Sequence, residues 1–176
     1  MTNQILLSGF GGQGILFTGK FLAYKGLLAD KNVSWLPSYG PEMRGGTASC
    51  SVIISDEEVG SPIISEPDVL IAMNLPSFEK FVPTVRPGGI VIADSSLIEA
   101  TTDRTDIQVY YIPATSLASD MGKQSLANMI ILGKLLAVMG DFNEDEISTV
   151  LSKVIPPKKA DMLEINMKAM KIGAEN

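Results

Sequence analysis

Two short stretches hold most of the residues in this chain whose types and spacing suit binding chemistry. The first, Gly9-Phe10-Gly11-Gly12-Gln13-Gly14, fits the pattern G-x-G-x-x-G. Backbone N–H groups at a helix N-terminus can hold a phosphate or pyrophosphate, and glycine lets such a ligand approach the backbone. The second runs from Ser38 to Ser49 and reads SYGPEMRGGTAS. Pro41 fixes one φ there while Gly40, Gly45 and Gly46 permit positive φ, so the loop can take a defined shape. Arg44 offers a planar five-donor fork suited to carboxylate or phosphate, and Glu42 can orient or neutralise it. Taken locally, the favoured reading of the same two residues is the plainer one, an exposed ion pair worth about 0–1 kcal/mol.

What the chain lacks is as informative. It has no histidine and one cysteine, Cys50. The commonest general base and metal ligand is therefore missing, and an internal disulfide, a cysteine-built iron–sulfur cluster and a zinc site are excluded. We assign no catalytic residue and no metal ligand. If the protein serves an enzyme, the chemistry belongs to a cofactor held elsewhere.

The elements that would position the two stretches follow from periodicity. Gln4–Ser8 is a short apolar run ending in glycines, as a buried parallel strand does. Apolar residues from Ile15 to Leu28 fit a helix. Val33–Leu36 reads as a second strand and Ala48–Ser55 as a third, so the second stretch lies between two runs that look buried. Asp68–Met73, Ile90–Asp94 and Gln108–Pro113 complete the strands. Pro76 and Ser77 open a helix reaching about Val85. A broad apolar helix spans QSLANMIILGKLLAVMG and ends at Gly140. NEDEISTVLSKVI follows with acids in its first turn, as the helix dipole favours, and an amphipathic helix closes the chain. Strands alternating with helices predict an α/β fold, one domain over residues 1–176, with a mostly parallel, Rossmann-like sheet flanked by helices. In such sheets ligands lie beyond the carboxyl ends of the strands, where both glycine-rich loops should fall.

The totals describe an ordinary globule of 176 residues, 45% hydrophobic and 19% charged. A net charge of −6 argues against nucleic acid as a partner. No apolar run of about 18 residues is present to span a membrane, and no signal peptide is evident, so a cytoplasmic location is expected. A dinucleotide site should place an acid at the tip of strand two, about 20 residues past the glycines. Asp30 precedes that strand and Glu42 follows the next loop, so NAD is disfavoured. The glycine turn is left as either an anion site or a tight strand-to-helix packing device. Cys50 reads as a small core residue. Asp94, Ser95 and Ser96 end a strand as a turn and cap or as a ligand contact, and Asn128 faces either a ligand or a neighbouring backbone.

The stretches LSGFGGQGILFTGKFLA, SYGPEMRGGTASCSVIISDEEVGSP, PDVLIAMN, RPGGIVIADSSLI, IPATSLASDMG and ANMIILGKLLA together resemble the gamma subunit, or gamma domain, of 2-oxoacid:ferredoxin oxidoreductases. The form of the second loop is more similar to the 2-oxoglutarate and branched-chain (ketoisovalerate) types than to the pyruvate type. The resemblance implies a CoA-dependent oxidative decarboxylation of a 2-oxoacid to acyl-CoA and CO2, or its reverse, by a multi-chain enzyme. Thiamine diphosphate, magnesium and iron–sulfur clusters would be held by other chains, with none bound by this chain alone, and the isolated chain would be inactive. Its partners would be alpha and beta subunits, a ferredoxin-like delta subunit and, through the complex, ferredoxin; alone it could form a homodimer. Gly9, Gly11, Gly12 and Gly14 would then form an anion or CoA loop. Tyr39, Gly40, Glu42, Arg44, Gly45 and Gly46 would meet partner chains or ligand. The alternative is a stand-alone nucleotide- or CoA-binding module without redox function.

Overall fold

The structure, a computed structural model, describes residues 1–38 and 47–176. Six strands, β1 (Thr2–Phe10), β2 (Asn32–Ser38), β3 (Thr47–Ser55), β4 (Val69–Ala72), β5 (Ile90–Asp94) and β6 (Gln108–Ile112), form one sheet in the order β2-β3-β1-β4-β5-β6. β1, β4, β5 and β6 are parallel neighbours, with Leu7 opposite Ile71, Ile71 opposite Ile92 and Ile92 opposite Tyr110. β3 runs antiparallel to both β1 and β2, so β2 points the same way as β1. Every strand but β3 thus ends on one edge, and the mostly parallel α/β expectation holds. At that edge Phe10 opposes Thr47 and Ser38 opposes Ser49. The end of β1 and both anchors of segment 39–46 are therefore neighbours. The segment itself, with Tyr39, Gly40, Glu42, Arg44, Gly45 and Gly46, lies outside the described residues.

The central strands are apolar along their length because both faces are covered. On one face lie α1 (Ile15–Leu28), α4 (Ala127–Val138), α5 (Glu144–Val154) and α6 (Met162–Glu175), packed over Ile5, Leu7, Ile71 and Ile92. On the other, α2 (Leu75–Phe81) and a 3-10 turn at Val82–Thr84 cover Leu6, Leu70 and Val91. α4 is apolar almost all round because it is wedged among the sheet, α1 and α6. It meets α6 so closely that a Cβ on Gly133 would collide with the Met170 backbone, and one on Gly173 with the Ile130 backbone. α5 begins on Asn143, whose side chain accepts from the Glu146 amide at 3.1 Å, and carries Glu144, Asp145 and Glu146 in its first turn as expected. No helix among the described residues is long and apolar enough to cross a membrane.

Two features differ from the periodicity. β2 is not buried: it is the sheet's outer strand, with Trp35 and Leu36 each 41% exposed. Its apolar letters looked like a core strand because strand order, which makes it an edge, is not written in local sequence. A short helix, α3 (Ala114–Asp120), also follows β6 where no helix was expected. Its position places a hydroxyl at the strand-end edge.

Candidate binding site at the glycine turn

The turn after β1 is held by its own glutamine. Gln13 Oε1 accepts from the Phe10 amide at 2.6 Å, and its Nε2 donates to the Met73 carbonyl at 3.0 Å, tying the turn to the end of β4. Gly12 and Gly14 have φ of 90° and 77°, a region that favours glycine. The two are not equivalent. A Cβ on Gly12 would meet none of the described residues within 4 Å, whereas one on Gly14 would run into the Asn128 side chain. Asn128 donates to the Gly14 carbonyl at 3.3 Å and to Thr18 Oγ1 at 3.2 Å, and the Thr18 hydroxyl donates to the same carbonyl at 3.0 Å. Of the two roles left open for Asn128, neighbouring backbone is the one observed. Gly9 is buried, and a Cβ there would press on Gln13, Ile15 and Met73.

Gly11 and Gly12 form a ridge between two clefts. The first, of about 360 Å³, runs from the ridge and Gln13 past Met73 and Leu97 to Thr115, and is rimmed by Gln124 and Ser125. The second, of about 330 Å³, lies over the start of α1 and is lined by Gly14, Ile15, Leu16, Phe17 and Ala48. No charged side chain among the described residues lines either cleft. α1 has no side-chain cap and no acid in its first turn, and its first backbone bond runs from the Thr18 amide to Gly14. The amides of its opening turn therefore lack intrahelical partners and carry the positive end of the helix dipole into the second cleft. Larger hollows of about 450 and 520 Å³ lie at the opposite sheet edge, around Arg86 and Pro87, where Arg86 is already paired with Asp68. Strand amino ends are the wrong side of such a sheet for a ligand.

The first cleft's far wall is set by Asp94, fully buried at the tip of β5. Its Oδ1 accepts from the Ser96 amide at 3.0 Å and the Thr115 amide at 3.3 Å, and its Oδ2 from the Thr115 hydroxyl at 2.5 Å. Asp94 is thus the cap and turn residue of the first reading, acting across to α3. Thr115 carried no sequence signal, because its partner sits 21 residues earlier in the chain.

Cys50 is fully buried, and burial pushes its thiol up to about 11 from 9.0 while a hydrogen bond with Trp35 works the other way. That is the chemistry of a core residue, not a nucleophile. Among the described residues no group of three or more His, Cys, Asp or Glu side chains is placed to hold a metal ion. With one buried thiol and no histidine, the donor set does not fit an iron–sulfur cluster.

The chain is thus an α/β domain with a Rossmann-like sheet, a glycine turn and, at the strand ends, two clefts that no charged side chain among the described residues lines. The chain belongs to the pyruvate ferredoxin/flavodoxin oxidoreductase family, whose model matches residues 4–176. It is 37% identical over 172 residues to the ketoisovalerate oxidoreductase subunit VorA of Methanothermobacter marburgensis, covering 98% of this chain and 36% of VorA. The chain therefore spans about a third of the length of that relative. It is 34% identical over 161 residues to the 2-oxoglutarate synthase subunit KorC of Methanocaldococcus jannaschii, covering 89% of this chain and 85% of KorC. The gamma subunit of a keto/oxoacid ferredoxin oxidoreductase from Geobacter sulfurreducens superposes with a TM-score of 0.81 at 28% identity, over 98% of this chain and 96% of that one. A 2-oxoglutarate:ferredoxin oxidoreductase chain from Magnetococcus marinus, solved with 2-oxoglutarate, coenzyme A and succinyl-CoA bound, gives 0.85 at 27% identity, over 99% of this chain and 31% of that one. The ketoisovalerate and 2-oxoglutarate relatives agree with the subtype resemblance seen in the second loop.

Proposed function

We propose that residues 1–176 act as one gamma-type domain of a cytoplasmic 2-oxoacid:ferredoxin oxidoreductase, which converts a 2-oxoacid, CoA and oxidised ferredoxin to acyl-CoA and CO2, or runs the reverse. The observation that carries the reading is the glycine ridge with its two clefts at the strand-end edge, in a chain that matches the family from residue 4 to residue 176. Thiamine diphosphate and iron–sulfur clusters supply the carbanion and electron-transfer chemistry when bound, and alpha, beta and ferredoxin-like delta chains would hold them. This chain's part is to bind, orient and exclude water. The first-turn amides of α1, which lack intrahelical partners, suit the CoA diphosphate, with Gly11, Gly12 and Gly14 lining their cleft and Gly9 packed beneath. Segment 39–46 would meet the partner chains, with Arg44 holding an acid across the interface or a CoA phosphate.

Native pull-down with the tagged chain tests the assignment, followed by assay of what is retained with several 2-oxoacids, CoA and a viologen dye. Larger chains carrying thiamine diphosphate and clusters should come with it and turn over a 2-oxoacid only when CoA is present. A chain that runs alone and binds CoA tightly would instead be a free-standing CoA-binding module. In the complex, Arg44→Ala should raise the Michaelis constant for CoA or loosen the subunit; no change in either removes segment 39–46 from the reading.

A further inference from the structure

We propose that the first cleft takes an uncharged ligand segment bearing an N–H donor, a secondary amide or an amino-purine edge, and that Thr115 selects it by presenting an acceptor. The inference rests on the reading that this edge holds a CoA-like ligand, and it assigns what the neutral side of the glycine ridge does. As a carboxylate, Asp94 has no proton to give, so the hydrogen bond of 2.5 Å to Thr115 consumes the hydroxyl's only proton. What Thr115 Oγ1 has left for the cleft is lone pairs. The Thr115 amide is engaged on the same carboxylate, so the residue cannot turn its donor toward the ligand.

The opposite wall has the reverse polarity. Gln13 Oε1 is occupied by the Phe10 amide, and one Nε2 proton by the Met73 carbonyl. Among the described residues its second Nε2 proton has no partner, and the Gly11 and Gly12 amides along the ridge likewise have none. Met73 and Leu97 supply apolar lining between the two walls. Donors on one side, one fixed acceptor on the other and, among the described residues, no charge between them complement a group with both a carbonyl or ring nitrogen and an N–H. A phosphate would face Thr115 lone pair to lone pair, which disfavours it here. Gln124 and Ser125, both exposed at the rim, add adaptable polar contacts.

The test deletes the N–H from the ligand, leaving the protein intact. Calorimetric titration of the full chain compares pantetheine with its oxo-ester analogue, and adenosine with purine riboside. The two pairs separate the amide source from the amino-purine source. In whichever pair binds, the compound lacking N–H should bind about three- to tenfold more weakly, the size of one uncharged hydrogen bond. Thr115→Val should abolish that preference, and Thr115→Ser should keep it. Asp94→Asn should weaken or invert it, because its amide would donate to Thr115 Oγ1 and free the hydroxyl proton for the cleft.

No binding in either pair overturns the inference, as does equal affinity with and without the N–H. A preference that survives Thr115→Val also overturns it. If CoA binds but neither pair shows the N–H preference, this inference fails and the proposed function stands. If the preference appears but no larger chains are recovered in pull-down, the proposed function fails and this inference stands.

Discussion

The two clefts on either side of Gly11 and Gly12 share a ridge and differ in nearly everything else. The first is walled by side chains that hydrogen bonds hold in a fixed orientation: Gln13 by the Phe10 amide and the Met73 carbonyl, Thr115 by Asp94. The second is walled by backbone, the open first turn of α1, with apolar side chains around it. One presents oriented neutral dipoles and the other the positive end of a helix. A single turn can therefore serve chemically unlike parts of one extended ligand, provided the ridge itself does not move. The glycine pattern matters here as a fixed divider between two surfaces, with Gly14 packed and Gly12 open among the described residues.

Those two glycines should respond unequally to substitution. Gly14→Val combines positive-φ strain with overlap on Asn128, and should cost about 3–4 kcal/mol. Thermal melting should fall by about 10 °C for a chain of this length. Gly12→Ala meets no neighbour among the described residues within 4 Å and should cost the backbone strain, about 1–2 kcal/mol. Equal losses in the two variants would mean that Gly14 is not the packed anchor of the ridge.

Cys50 reports on the floor of the second cleft, since it shares a face of β3 with Ala48, which lines that cleft. Its thiol is raised from 9.0 to about 11, so the thiolate at pH 8 is about a hundredfold scarcer than on an unperturbed cysteine. A thiol whose folded pKa is raised adds stability that is fully present below about 9 and is lost as pH rises toward about 11. Alkylation of the native chain at pH 8 should be correspondingly slow, and Gly14→Val should speed it by loosening α1 from β3. Fast labelling of the wild type would show that the second cleft has no closed floor.

Much of this arrangement was legible in the sequence, and what was not has a common cause. The buried strand before the glycines, the apolar α4 and the acid-rich first turn of α5 follow from local patterning, and their places in the sheet agree. β2 misled because Val33 to Leu36 reads as core, whereas its exposure is set by the order of strands. α3 was invisible because it is seven residues long and its opening amide and hydroxyl are satisfied by Asp94, which folding alone brings near. Gln13 occupies a variable position of the glycine pattern, yet it is the residue that clamps the turn. Local chemistry marked where a ligand could sit; long-range hydrogen bonds decide which groups face it.

Gln13→Ala acts on the first cleft. It removes the acceptor for the Phe10 amide and the donor to the Met73 carbonyl, and should cost about 1–3 kcal/mol. Because Gln13 walls only the first cleft, pantetheine or adenosine binding should suffer more than binding of pyrophosphate. A heavier loss for pyrophosphate would reverse the assignment of the clefts.

The smallest expected effect is electrostatic, and its sign is the informative part. A neutral ligand in the first cleft should bind equally between about 20 and about 150 mM salt, since no charge changes partners. Pyrophosphate at the α1 amides feels two opposed terms. Contacts to the helix end act well within a Debye length and are weakly screened, whereas repulsion from a chain of net charge −6 acts from afar and is screened readily. Amides alone should therefore give an affinity that stays level or rises slightly with salt. If Arg44 also reaches the anion, as proposed, the affinity should fall about two- to threefold over that range, because salt screens the added ion pair. Arg44→Ala should then restore the level or rising profile. A wild-type profile that is already level would leave the second cleft to the backbone amides, and Arg44 to the partner chains.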